Sequence, residues 1–205
     1  MKLIWNGHSC FTVDTAQGSV VFDPYQDGSV PGLSPLHLTA DLVLCSHEHR
    51  DHGARQVVTL TGHTPSFQVE SLSTFHDSEQ GNLRGPNTIH ILSAEGLRLA
   101  HLGDLGCSLT EEQVSRLQGL DALLIPVGGF YTIDAAQAQA LVQALAPRVV
   151  VPMHYRSDTF GYDVITPVED FLAFRRDVVR YSTNCLELTA DTPAQTALLT
   201  YQPLK

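Results

Sequence analysis

The chain has 205 residues, 43% of them apolar, and a net charge of −10 from 12 basic and 22 acidic side chains. That length suits one large domain, and the acidic balance argues against nucleic-acid backbones and anionic membranes as partners. No apolar run approaches the length that spans a bilayer, and Asn6-Gly7-His8 comes too early for a signal peptide. In chain order, Lys2 to Trp5, Cys10 to Asp14 and Ser19 to Asp23 are short apolar runs punctuated by Gly7 and Gln17-Gly18, the pattern of an antiparallel meander. Tyr25 to Leu38, rich in Gly, Pro and Ser, reads as a loop placed to overhang a site. Leu42 to Cys45 reads as a buried strand, and Gly53 to Leu60 as a helix. Ser66 to Phe75, Asn87 to Ser93 and Leu97 to Leu102 read as strands, with Glu95-Gly96 as a hairpin turn. Thr110 caps a helix through Leu117. Ala122 to Val127 is a buried strand, Asp134 caps a helix over Ala135 to Ala146, and Val149 to Val151 is a further strand. Val168 to Arg176 reads as a helix, and strands near Cys185 to Leu188 and Ala197 to Tyr201 close the chain. Strands first, then strands mixed with helices, suggest two sheets packed face to face with helices outside. With no linker or charge run to divide it, residues 1–205 are expected to form one domain.

Chemistry concentrates between the strand Leu42 to Cys45 and Gly53. Ser46-His47-Glu48-His49-Arg50-Asp51-His52 places four metal-binding side chains within six residues, at the C-terminal end of a strand. In extended chain His47 and His49 project to one side. If a helix begins near Asp51, then Asp51 and His52 face a second point a few ångströms away, which suggests two adjacent ions. The alternative is a polar loop that only solvates a helix start, but three histidines and an aspartate rarely crowd together without a metal.

His47-x-His49-x-Asp51-His52 resembles the HxHxDH signature of the metallo-β-lactamase superfamily. Phe75-His76-Asp77, His101-Leu102-Gly103-Asp104 and Pro152-Met153-His154 resemble its later ligand segments, in the same order. Trp5-Asn6-Gly7-His8-Ser9 and Asp23-Pro24 resemble a branch of small hydrolases that includes relatives of the ascorbate-phosphate lactonase. The resemblance runs from about Leu3 to about Leu188 and implies an α+β fold, the four-layer αββα sandwich, with metals along one edge between the sheets. It further implies that His76 joins His47 and His49 on one ion, that His154 joins Asp51 and His52 on the other, and that Asp104 bridges both. Two divalent ions about 3.5–4 Å apart hold hydroxide at neutral pH, so the implied reaction is hydrolysis of an ester, lactone or similar bond in a small molecule. Asp51 or Asp104 would orient that hydroxide. Zinc suits imidazole-rich ligands, and manganese, iron or nickel fit the same set.

Several side chains stay open. His8 leaves the meander edge after Gly7, and it is expected to hydrogen-bond substrate or protonate the leaving group rather than bind metal. His101 is a ligand or, more in keeping with its place, a packing residue. His37, His63 and His90 read as surface or loop residues, and Ser9 and Ser46 as structural. Tyr131 or Thr132, after Gly128-Gly129, stands where substrate would pass. Arg50, Arg84 and Arg156 lie near ligands in sequence and are candidates to hold a substrate carboxylate or phosphate. Cys10, Cys45, Cys107 and Cys185 lack CxxC spacing and read as thiols of a reducing cytoplasm. A phosphodiesterase acting on a small or lipid-derived phosphodiester is the main alternative. A di-iron redox protein is a weaker one, since no flavin or electron-carrier domain accompanies the site.

Overall fold

The computed structural model describes residues 1–203. Lys2–Gly7 (β1), Cys10–Thr15 (β2) and Gly18–Phe22 (β3) form the expected antiparallel meander. The period of two sorts their side chains. Leu3, Trp5, Phe11, Val13, Val20 and Phe22 enter the main core, whereas Cys10 and Val21 face a second cluster on the other side. That second cluster is closed by Tyr25, Val30 and Leu36, so the loop expected between Tyr25 and Leu38 is a packed cover for the sheet. Leu38–Ala40 (β4) and Leu42–Leu44 (β5) follow, and β5 lies parallel to β3. Its three residues are half-buried, less enclosed than expected.

The helix expected over Gly53 to Leu60 is absent. A single 3-10 turn, Arg55–Val57, leads into the strand Val58–Leu60 (β6), which pairs parallel with β4. Val57, Val58 and Thr59 are β-branched and lose rotamer freedom in a helix, so the open edge of β4 wins them.

Gln68–Phe75 (β7), Pro86–Ala94 (β8) and Leu97–His101 (β9) are antiparallel, and Glu95 and Gly96 both take positive φ in the hairpin turn. Then come Glu111–Arg116 (α1), Ala122–Pro126 (β10), Ala135–Leu145 (α2), Val149–Met153 (β11) and Glu169–Leu172 (α3). Val178–Arg180 (β12), Cys185–Glu187 (β13) and Gln195–Leu198 (β14) complete the set. Thr110 and Asp134 cap α1 and α2 as expected, each in a capping box with a glutamine. The helix expected over Val168 to Arg176 shrinks to one α turn. Its first position has no side-chain cap, and Arg175 turns aside to bond Thr196 Oγ1, Gln139 and Asp177.

One sheet has the order β13-β1-β2-β3-β5 and the other β12-β14-β11-β10-β9-β8-β7. The strands β9, β10, β11, β14 and β12 are mutually parallel, so α1, α2 and α3 are crossover helices on one face of the larger sheet. Its other face meets the meander. Leu3, Trp5 and Phe22 share one core with Ile89, Leu99, Leu123 and Ile125. This is the αββα sandwich, with the outer layer of the smaller sheet thinned to the 25–38 loop and the 3-10 turn. The strand ends of both sheets meet along one rim. Four hydrogen bonds sew them together there: His154 N to His8 O (3.4 Å), Thr88 N to Ser46 O (2.9 Å), His101 Nε2 to Ser9 O (2.8 Å) and His90 Nε2 to Cys45 O (3.1 Å).

Candidate metal centre

The rim collects side chains from six chain segments. The turn between β1 and β2 brings His8, the end of β3 brings Asp23, and the segment after β5 brings Ser46 to His52. From the larger sheet come His76 after β7, Asp104 after β9 and His154 after β11. Hydrogen bonds from the His52 and Gly53 amides to His49 O (3.0 and 2.7 Å) fold the segment back on itself, so a turn rather than a helix start changes its direction. The approach is close. A Cβ on Gly128 would strike the His154 carbonyl, and one on Gly103 would strike Ser46 and Asn87. Asn87 in turn accepts the Asp104 amide at 2.9 Å and anchors that loop.

All seven expected ligands fall together. His47, His49 and His76 form one group, and Asp51, His52, His154 and His8 form another, each with its candidate ligand atoms within 4.8 Å of one another. Asp104 lies between them. Its Oδ2 is 3.3 Å from His76 Nε2, 3.1 Å from His52 Nε2, 3.3 Å from His154 Nε2 and 3.9 Å from His47 Nε2. His8, expected to stay out of the ligand set, belongs to the second group, with Nε2 3.5 Å from Asp51 Oδ2.

The donor atoms suit a metal. Buried polar atoms almost always have a partner. Among the described residues His47 Nε2, His52 Nε2, His76 Nδ1, Asp104 Oδ1 and both ring nitrogens of His8 and His154 have no hydrogen-bond partner. Imidazole and carboxylate atoms converging in this way fit zinc or a similar divalent ion. Burial, helped by His154, pushes His8 down to about 4; burial with His52 nearby pushes His47 down to about 3. Both rings are therefore neutral at pH 7, the form with a lone pair to give. At His52 burial again opposes the charged ring, but the Asp104 and Asp51 carboxylates prevail and raise its pKa well above the usual imidazole value when no ion is bound. Burial opposes the charge on Asp104 and Asp51 as well, but the surrounding imidazoles hold both far below the usual carboxylate range.

The sequence marks Asp23 only through the resemblance carried by Asp23-Pro24 and Ser46 only as structural. Together they orient the rings. Asp23 Oδ1 accepts the Ser46 amide and Oδ2 accepts the Ser46 hydroxyl, both at 2.6 Å; Oδ2 also meets His52 Nδ1 at 2.8 Å. Ser46 Oγ is 2.9 Å from His47 Nδ1. This chain of bonds places the protons on Nδ1 of both rings and leaves each Nε2 for the cation, the usual outer support of a metal-bound histidine. The signal was present in Asp23-Pro24 at a strand end, where Asp23 takes a φ of 45°.

The remaining candidates separate. His101 spends Nε2 on Ser9 O and Nδ1 on the Gly103 amide (3.1 Å), and stacks on Phe22, so it packs the core. His37 and His63 are exposed as expected, but His90 is buried in β8 between Ser71 and Cys45, because this inner strand is covered on both faces and residues 89–92 are all buried. A cleft of about 290 Å³ opens over the cluster, lined by His49, Asp51, His76, Arg84, Asp104, Tyr131 and Tyr162. Tyr162, which no sequence signal marked, reaches Asp51 Oδ2 at 3.1 Å.

Residues 2–154 match the family description "Beta-lactamase superfamily domain". A UPF0173 metal-dependent hydrolase of Opitutus terrae is 29% identical over 196 residues, covering 77% of this chain and 86% of that protein. A UPF0173 protein of Pyrococcus furiosus is 30% identical over 182 residues, covering 76% and 83%. Among solved structures, a Thermotoga maritima protein assigned as a zinc-dependent hydrolase of the metallo-β-lactamase superfamily is 30% identical. It superposes with a TM-score of 0.78 over 98% of this chain and 99% of that one. An isothiocyanate hydrolase from Delia radicum gut bacteria, 14% identical with a TM-score of 0.64 over 85% of this chain and 91% of that one, shares the fold alone.

Proposed function

This chain belongs to the beta-lactamase superfamily and is a metal-dependent hydrolase, and from that premise we propose that it uses two divalent ions, zinc first, to cleave an ester or lactone bond in a small molecule. His47, His49 and His76 hold one ion, Asp51, His52 and His154 the other, and Asp104 reaches both. When bound, such ions supply a water acidified to act as nucleophile near neutral pH and a Lewis acid for the substrate oxygen. Everything else is done by the chain. Asp51, held by the Tyr162 hydroxyl, orients the attacking water from the cleft side. Asp23 and Ser46 keep the Nδ1 protons of His52 and His47 in place, so that neither ring can turn away.

His8 serves the second ion and not the substrate. Its side chain has no exposed surface, it is not among the cleft-lining residues, and both its ring nitrogens lack partners among the described residues. A ring enclosed in this way, with Nε2 3.5 Å from Asp51 Oδ2, is better placed to bind an ion than to protonate a leaving group.

The single observation that carries this reading is the convergence of eight side chains from both sheets on one rim, with buried donor atoms left over. A cleft of about 290 Å³ in a chain of net charge −10 suits a small molecule better than a polyanion. Among the described residues no helix is long and apolar enough to cross a membrane, and all four cysteines are free thiols, in keeping with a reducing cytoplasm. Elemental analysis of zinc-reconstituted protein is expected to give close to two equivalents per chain, and a panel of lactones, thioesters and phosphodiesters to show turnover with a lactone or ester. A value well below one equivalent would sink the two-ion reading, and turnover confined to phosphodiesters would replace the carbonyl substrate.

A further inference from the structure

Of the three arginines close to the ligands in sequence, two have fixed partners. Arg50 Nε donates to Gln26 Oε1 at 3.1 Å, and Arg156 Nε donates to Ile165 O at 2.8 Å. Arg84 differs. Its guanidinium carbon lies 5.5 Å from the centroid of the Tyr131 ring, and the residue forms part of the wall of the cleft over the metal cluster. Among the described residues no hydrogen bond or ion pair engages that guanidinium.

The carboxylates that might have neutralised it are taken. Glu48, which lines the adjoining hollow with Arg84, is held by both terminal nitrogens of Arg55, at 2.7 and 2.9 Å. Asp77 is buried and accepts four backbone N–H groups, those of Glu79, Gly81, Leu83 and Arg84, at 2.8, 2.9, 3.1 and 2.7 Å. These bonds, with His76 N to Gly85 O at 3.1 Å, tie the 77–85 loop to the strand end that carries His76. Arg84 therefore stands on a loop whose position relative to the metal centre is set in advance. Tyr131 stands within cation–π reach of the guanidinium on the same cleft wall, and its N–H donors have no protein partner among the described residues.

A chain with ten more negative than positive charges has placed in the cleft wall an arginine whose guanidinium has no hydrogen-bond or ion-pair partner among the described residues. We propose that the substrate carries a second anionic group, a carboxylate or a phosphate, which Arg84 binds at the cleft wall while the bond to be cleaved lies over the metal centre. This rests on the hydrolase reading and adds the substrate's charge to it. An arginine fork matches either oxyanion with two parallel N–H donors.

Calorimetric titration of the zinc-loaded protein tests this without turnover. Butyrate offers one carboxylate for the metals; the dicarboxylates from malonate to glutarate, and 3-phosphonopropionate, offer a second anion for Arg84. At least one dianion is expected to bind about tenfold or more tightly than butyrate, as a charged hydrogen bond implies. Arg84→Gln should abolish that gain while leaving butyrate affinity and zinc content within about twofold. Whether the dicarboxylate or the phosphonate gains more tells carboxylate from phosphate. Equal affinity for butyrate and all the dianions, or a gain that survives Arg84→Gln, overturns the proposal. Failure of the hydrolase reading would look different: the dianion preference would persist in a zinc-loaded protein that hydrolyses nothing in the ester, lactone and phosphodiester panel.

Discussion

Asp23 belongs to neither group of candidate ligands, yet it sets the orientation of two rings that do. Its burial would raise its pKa, but His101 and His52 hold it down to about 2, so it is a permanent anion behind the cluster. Asp23→Asn keeps the shape and removes the charge, and it should weaken zinc affinity by about 10–100-fold while every ligand remains. Competition with a chelator of known affinity measures this; unchanged affinity would reduce Asp23 to a turn residue. At Asp104 the loss should be larger. Asp104→Ala takes one side chain from both ions and is expected to leave well under one zinc per chain, whereas His8→Gln should retain the first equivalent and lose most of the second. A His8→Gln protein with full zinc but slow turnover would return His8 to the substrate.

Between the elements, Asp41 shows how a polar residue organises a strand start. It accepts the Ser19 amide at 2.8 Å and the Ser19 hydroxyl at 3.2 Å, bonds Thr61 Oγ1, and has His63 Nδ1 at 3.4 Å. It thereby links the start of β3 to the end of β6. The Thr61 hydroxyl, followed by the Ser19 amide, lowers its pKa. A carboxylate depressed in the folded state contributes stability above its unfolded value of about 4 and loses it as pH falls through the folded value. Asp41→Asn should therefore melt below the parent at pH 7, with the gap closing as pH drops below about 4; a constant gap across pH would mean the charge is irrelevant. The same elements show what the sequence could tell. The meander, the two capped helices and the HxHxDH turn were legible because alternation, Thr110 and Asp134 caps, and ligand spacing are local signals. The Gly53 to Leu60 helix failed because the edge of β4, which decides the matter, lies outside that window. Asp23, Ser46, Tyr162 and the tie between Asp77 and Arg84 were hidden for the same reason: their roles depend on which residues meet across the rim. The burial of His90 was hidden because β8 is covered on both faces, which a local pattern does not reveal.

Across the whole molecule the cluster is a liability without its ions, since its buried donors have no other partners among the described residues. An ion that binds the folded chain alone stabilises it by about 2.7 kcal/mol at a hundredfold excess over Kd. For a chain of this length that corresponds to about 5–10 °C in melting temperature. Chelation should lower the midpoint by that amount and zinc should restore it, as read by scanning calorimetry; a midpoint indifferent to chelator would show that the cluster holds no ion tightly.

The candidate ligands are strung from position 8 to position 154 and come from both sheets. During synthesis, then, a ribosome must release three-quarters of the polypeptide before His154 can meet Asp51. Early in that process the nascent HxHxDH turn has only neighbours of its own sheet and can offer a passing ion no more than a partial, exchangeable grip. Capture at the second group has to wait until the parallel strand β11 docks and brings His154, a slow, long-range event. Filling of that group would thus mark completion of folding, and a late phase in the uptake of zinc, read with a zinc-sensitive dye during refolding, would time the closing of the sandwich.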